Sequence, residues 1–121
     1  MIEIRAFQKE DAQQVIRLAL HCQNDGSRPK VTVEHQPDLL CIQEKYIDAQ
    51  GGFWVAVDNG KAAGSIGLMR AGGGIGILKK FFVYEPYRGR PHHLGQRLFG
   101  VLIAFALDKG LTQIVLDTRC V

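Results

Sequence analysis

Arg88, Gly89, Arg90, His93, Leu94, Gly95, Gln96 and Arg97 form a basic, glycine-bearing stretch where an apolar run meets a helical period. Three guanidinium groups within ten residues, at the start of a helix, make a physical recipe for gripping phosphate. The first backbone N–H groups of a helix have no partner inside it, and the helix dipole adds partial positive charge there. This stretch is expected to hold an anionic ligand.

The elements that must position it follow from patterning. Residues 77–84 read as an apolar strand, 85–95 as the turn, 94–109 as a helix and 112–117 as a second apolar strand. Leu94, Leu98, Val101, Leu102 and Phe105 fall on one helical stripe, and Gly110 follows Lys109 as a helix stop. Lys79 and Lys80, adjacent on a strand, are expected to point to opposite faces, with at least one solvated.

Upstream, Ile2 and Ile4 alternate with Glu3 and Arg5, which predicts a strand over 2–7. Glu10 and Asp11 supply an acidic first turn to a helix over 11–23, with Ala12, Val15, Leu18, Ala19 and Cys22 on its apolar face. Residues 24–37 are polar and proline-bearing, a long surface loop. Asp38 is a plausible N-cap for a second helix carrying Leu39, Ile42, Tyr46 and Ala49 on one face, ended by Gly51. Residues 53–57 and 62–69 flank Asp58-Asn59-Gly60-Lys61, a strong hairpin signal. Gly64 and Gly67 would let another backbone or a ligand approach closely, and residues 71–74 read as a loose loop into the next strand. The order is β-α-α-β-β-β-α-β, an α/β (α+β mixed) fold with a central mixed sheet flanked by helices in one domain of 121 residues.

Composition narrows the function classes. The net charge of +3 is asymmetric: residues 1–60 carry six Lys/Arg against nine Asp/Glu, and residues 61–121 carry nine against three. The basic half contains the helix-opening turn, which suits a small polyanion. No basic run with interleaved aromatics points to nucleic acid, and no apolar run approaches a membrane span. The N-terminus lacks the pattern of a secretory signal, so a cytoplasmic setting is expected. Cys22, Cys41 and Cys120 are odd in number and far apart, which argues against a disulfide framework or a metal site; Cys22 and Cys41 read as small core residues.

The order of elements, with LKKFFVYEPYRGRPHHLGQRLF…LDT, resembles the GCN5-related N-acetyltransferase (GNAT) superfamily. In that family the turn between the fourth strand and the following helix has the pattern Arg/Gln-x-x-Gly-x-Gly/Ala and holds the pyrophosphate of acetyl-CoA. Arg90 matches the first position and Gly95 the last, with Leu94 as the usual apolar residue between. His93 replaces the middle Gly, and Pro91 removes one backbone donor. Arg88-Gly89 resembles the family's Arg-Gly pair with two residues added before the helix. The resemblance implies that Phe82, Val83 and Tyr84 lend backbone groups to the pantetheine arm. It implies that Arg88, Gly89, Arg90, His93, Leu94, Gly95 and Gln96 surround the phosphates.

It also implies transfer of acetyl from acetyl-CoA to a primary amine of a small molecule or peptide, with a non-catalytic CoA-binding or interaction module as the alternative. No general base or acid is assigned. Many relatives carry Glu where this sequence has Ile77; Glu85, at the strand exit, reads as solvated. Glu34, His35 and Tyr46 are candidates for the acceptor side, with ordinary loop and core roles the simpler reading. Family members usually continue past the fifth strand, whereas this sequence ends at Arg119-Cys120-Val121. An exposed sheet edge covered by a second copy is therefore expected.

Overall fold

The computed structural model describes residues 2–24 and 36–116. Five strands form one sheet in the order β1-β2-β3-β4-β5: β1 (Ile2–Ala6), β2 (Gly52–Asp58), β3 (Lys61–Gly72), β4 (Ile75–Val83) and β5 (Gln113–Leu116). The first four pair antiparallel and β4 with β5 in parallel, so the sheet is mixed, as expected. Helices α1 (Ala12–Gln23) and α2 (Leu94–Asp108) cover opposite faces.

One face packs α2 through Leu94, Leu98, Leu102 and Ala106 onto Ala63, Ile66, Leu68, Leu78 and Val83. Val101 and Phe105, expected on this stripe, sit at its half-buried margins. The other face packs Val15 and Ala19 of α1, with Leu39, Ile42 and Tyr46, against Phe53 and Val55. The two interior glycines of β3 serve these layers. A Cβ at Gly67 would stand 2.7 Å from the Phe53 ring and 2.9 Å from Tyr46, and one at Gly64 would stand 2.9 Å from Leu98. The close approach is by core side chains at Gly67, and at Gly64 by Leu98 together with the Phe82 backbone carbonyl at 3.1 Å.

Asp11 ends a short 3-10 turn (Lys9–Asp11) that leads into α1. Its carboxylate accepts the Gln8 N–H at 2.8 Å and both Arg5 guanidinium nitrogens at 2.7 and 2.9 Å. Burial alone would push the Asp11 carboxyl up; the Arg5 hydrogen bonds, the Gln8 N–H and the Arg5 charge outweigh it and hold the group below the usual carboxylate value.

Several expectations are corrected. The second helix is a 3-10 turn (Pro37–Leu40) followed by a π-helical turn (Gln43–Ile47). Asp38 does not cap it, because its carboxylate accepts the Tyr46 hydroxyl at 2.7 Å and faces Lys80 Nζ at 3.6 Å. Leu39, Ile42 and Tyr46 are buried as expected, and Ala49 is exposed. The loose loop is a tight turn: β3 runs to Gly72, which pairs with Ile75, and Gly73 and Gly74 take φ of 62° and 78°, the left-handed angles of a two-residue hairpin turn. Cys22 and Cys41 are only partly buried. Of Lys79 and Lys80, at least one of which is expected to be solvated, Lys80 is buried and Lys79 half-buried. Glu34, His35, Cys120 and the sequence from Asp117 onward lie outside the described residues.

Candidate active site

β4 carries an irregularity that decides which of its backbone groups are available. Register with β3 passes from Ser65↔Phe82 to Gly67↔Lys79, so β4 spends one extra residue there. Lys80 is that residue, at φ 54° in the left-handed region, and the result is a β-bulge. Its carbonyl accepts the buried Ser65 hydroxyl at 2.8 Å, on the β3 side. Across a trans peptide the next N–H points the opposite way, so the Phe81 N–H faces the edge away from β3.

Tyr84 donates its N–H to the Ala63 carbonyl at 3.0 Å, so Tyr84 and, by alternation, Phe82 turn their polar groups toward β3. Val83 turns its N–H and C=O to the open edge. Pairing with β5 covers only Ile75 through Leu78. Among the described residues, then, no strand lies beside 79–83 on that side. Of Phe82, Val83 and Tyr84, only Val83 presents its backbone there. Phe81 joins it, a residue the strand pattern did not single out because nothing about lysine announces a left-handed angle at the position before.

The chain leaves β4 through a 3-10 turn (Glu85–Tyr87) held to the rest of the molecule at several points. The Tyr87 hydroxyl donates to Asp58 at 2.7 Å, and this hydrogen bond, then burial, raises its pKa. His21 Nε2 lies 3.0 Å from Glu85 Oε1, and the His21 ring packs on Tyr84 at 5.1 Å. The Glu85 carboxyl sits below its usual value through its own backbone N–H and then His21. Arg88 Nε donates to the Val83 carbonyl at 2.7 Å, and its other arm reaches Cys22 Sγ at 3.7 Å. The end of α1, the end of β4 and the turn are thereby locked together.

Next come Gly89 at φ 66°, a cis Arg90–Pro91 peptide, and His93 at φ 48° and ψ 41°. His93 thus adopts the left-handed angles that a glycine would adopt freely. Its N–H is taken by the Gly89 carbonyl at 2.7 Å, and the first helical bond of α2 runs from Arg97 N–H to the His93 carbonyl at 3.2 Å. Leu94, Gly95 and Gln96 therefore open α2 with three N–H groups that the helix cannot satisfy.

A cavity of about 200 Å³ sits over them, lined by Val83, Arg88, Gly89, His93, Gly95 and Gln96. Leu94 points into the core and Arg90 is exposed outside the lining. A Cβ built on Gly95 would meet only the Phe81 ring, at 3.7 Å, an ordinary contact. No packing constraint explains glycine here; the room lies in the cavity. Three amides without a partner among the described residues, a dipole end, nearby guanidinium groups and an open glycine form a cradle whose donors could hold a diphosphate.

A second cavity, about 310 Å³, lies at the opposite sheet edge between Phe7, Lys9, Leu39 and Ile42. Tyr46, a sequence candidate for the acceptor side, is fully buried against Phe53. No group of three or more His, Cys, Asp or Glu that could hold a metal occurs among the described residues.

A crystal structure of an acetyltransferase from Streptococcus agalactiae 2603 superposes with a TM-score of 0.91 at 37% identity, over 97% of this chain and 73% of that one. AAC(6')-Iy, in complex with the bisubstrate analogue CoA-S-monomethyl-acetylneamine, shares the fold with a TM-score of 0.70 at 18% identity, over 98% of this chain and 80% of that one. N-acetyltransferase family 8 member 2 of Rattus norvegicus is 30% identical over 86 residues, which span 69% of this chain but 38% of that protein. The model of the Acetyltransferase (GNAT) family matches residues 8–120, and the chain belongs to that family.

Proposed function

We propose that the protein transfers acetyl from acetyl-CoA to a primary amine of a small molecule or peptide. The observation that carries this reading is the pairing of the α2 cradle with the open edge of β4. Amides of Leu94, Gly95 and Gln96 receive the pyrophosphate, and the exposed Arg90 and Arg97 add charge beside it. The Val83 N–H holds the pantetheine arm. The Phe81 N–H points to where a thioester carbonyl would lie and stabilises the negative charge that develops on its oxygen. Positioning and electrostatics then supply the rate: the acceptor ammonium first loses a proton, the free amine forms the C–N bond as the C–S bond breaks, and the departing thiolate takes up a proton to leave as CoA.

The structural neighbour that carries a CoA analogue supports the choice of cosubstrate, by likeness of fold. Leu107, Val115 and Leu116 are exposed near β5, and we infer that a second copy covers them. A clean monomer by light scattering would remove that inference. No helix among the described residues is long and apolar enough to cross a membrane.

The test has two stages. Acetyl-CoA is expected to raise the melting temperature in proportion to the logarithm of its concentration, because it binds only the folded form. Thiol release across a panel of primary amines is then expected for at least one acceptor. Binding without release for any amine would favour a non-catalytic CoA-binding module.

A further inference from the structure

Lys80 joins an unfavourable backbone angle to a fully buried ammonium. A lysine in the left-handed region is uncommon and costs energy, and a buried charge is costly unless paired. The surroundings meet both requirements. Nζ donates to Gln36 Oε1 at 2.7 Å and faces Asp38 Oδ2 at 3.6 Å. Gln36 is itself locked to Gln23 by reciprocal amide hydrogen bonds of 2.7 and 2.6 Å, and Asp38 is locked to the Tyr46 hydroxyl. On the backbone side, the Ser65 hydroxyl fixes the Lys80 carbonyl. One residue is thus held by its two ends, in the conformation that turns the Phe81 N–H to the open edge.

We propose that Lys80 is a positioning residue for acetyl transfer: its ammonium, gripped by Gln36 and Asp38, keeps β4 bulged and the Phe81 N–H aimed at the thioester carbonyl. The proposal deepens the acetyltransferase reading and rests on it. It also gives the segment around Gln36 to Tyr46 a task, since Gln36 and Asp38 both face the ammonium. Its side chains tie the α1–β2 connection to the strand on which the thioester would lie.

The role is separable from simple structural support by comparing acetyl-CoA with CoA, which share the phosphates and differ at the thioester. Calorimetric titrations would use the wild type, Lys80→Met and Lys80→Gly. Methionine keeps the apolar stem, loses the ammonium and still opposes the left-handed angle; glycine loses the ammonium and adopts the angle freely. Lys80→Met is expected to bind acetyl-CoA about tenfold more weakly, the size of one lost charge-assisted interaction, with CoA changed less than about twofold. Lys80→Gly is expected to recover acetyl-CoA affinity to within about threefold of wild type, because only the angle matters to the Phe81 N–H. Should Lys80→Met not fold, Asp38→Asn carries the same comparison and is expected to shift acetyl-CoA in the same direction. Unchanged acetyl-CoA affinity in Lys80→Met, or an equal loss of both ligands in Lys80→Met and Lys80→Gly, overturns the proposal. A wild type that binds neither ligand overturns the acetyl-CoA reading itself, and the role of Lys80 falls with it.

Discussion

Arg88 Nε donates to the carbonyl of Val83 at 2.7 Å, across the corner where β4 gives way to the turn before α2. The guanidinium that sequence reading placed among the phosphate ligands is therefore engaged in holding that corner. Its second arm is spent on Cys22. Arg90 and Arg97 are both exposed beside the cradle.

This division of labour gives a first prediction. Arg97→Ala and Arg90→Ala should each weaken acetyl-CoA binding roughly threefold to tenfold without lowering the melting temperature, and the loss should shrink in high salt. Arg88→Ala should instead lower stability, by about 1 kcal/mol, because it removes the short hydrogen bond to the Val83 carbonyl and leaves the long one from Cys22 Sγ at 3.7 Å. Calorimetric titration at two salt concentrations, with thermal melts, checks both.

Gly95 separates stability from binding in a second way. Gly95→Ala replaces a poor helix former at a position with space for a methyl group, so the free protein should be as stable or up to about 1 kcal/mol more stable. The same methyl enters the cradle, and acetyl-CoA affinity should fall. A melt and an isotherm on one preparation read out both signs.

Gly67 should behave in the opposite manner. Its missing Cβ makes room for the Phe53 and Tyr46 rings, so Gly67→Ala should cost about 1–3 kcal/mol through overpacking. Urea unfolding measures the loss. An unchanged midpoint would show that the rings have somewhere else to go.

The Arg5–Asp11 pair sets a pH dependence. The Asp11 carboxyl lies below its unfolded value, so its contribution is present above the ordinary carboxylate range and is lost as pH falls through the depressed folded value. Asp11→Asn should cost about 1.5–3 kcal/mol at pH 7. The gap from wild type should narrow toward pH 3 and below, which unfolding curves across pH would reveal.

Most of this architecture was readable from the chain. Apolar periodicity located α1 and α2, and Asn59-Gly60 marked the first hairpin correctly. Arg88, Gly89, His93, Gly95 and Gln96, singled out around the start of α2, line one cavity. What escaped was set by tertiary partners. Asp38 looks like a helix cap until Tyr46 and Lys80 compete for its carboxylate, and with that contest the helix breaks into two irregular turns. The bulge at Lys80 follows from bonds to Ser65, Gln36 and Asp38, from 15 to 44 residues away in sequence, which no local propensity encodes. Gly73 and Gly74 suggested looseness, while their positive φ angles close a tight turn.

A calorimetric titration of acetyl-CoA into the wild type and Gly95→Glu tests the central claim most directly. A carboxylate placed over the three free amides would occupy the cradle and repel phosphate. The account predicts one acetyl-CoA per chain for the wild type and loss of binding in the variant, with the fold intact by circular dichroism. Absence of binding in the wild type, or equal binding in both proteins, would contradict it.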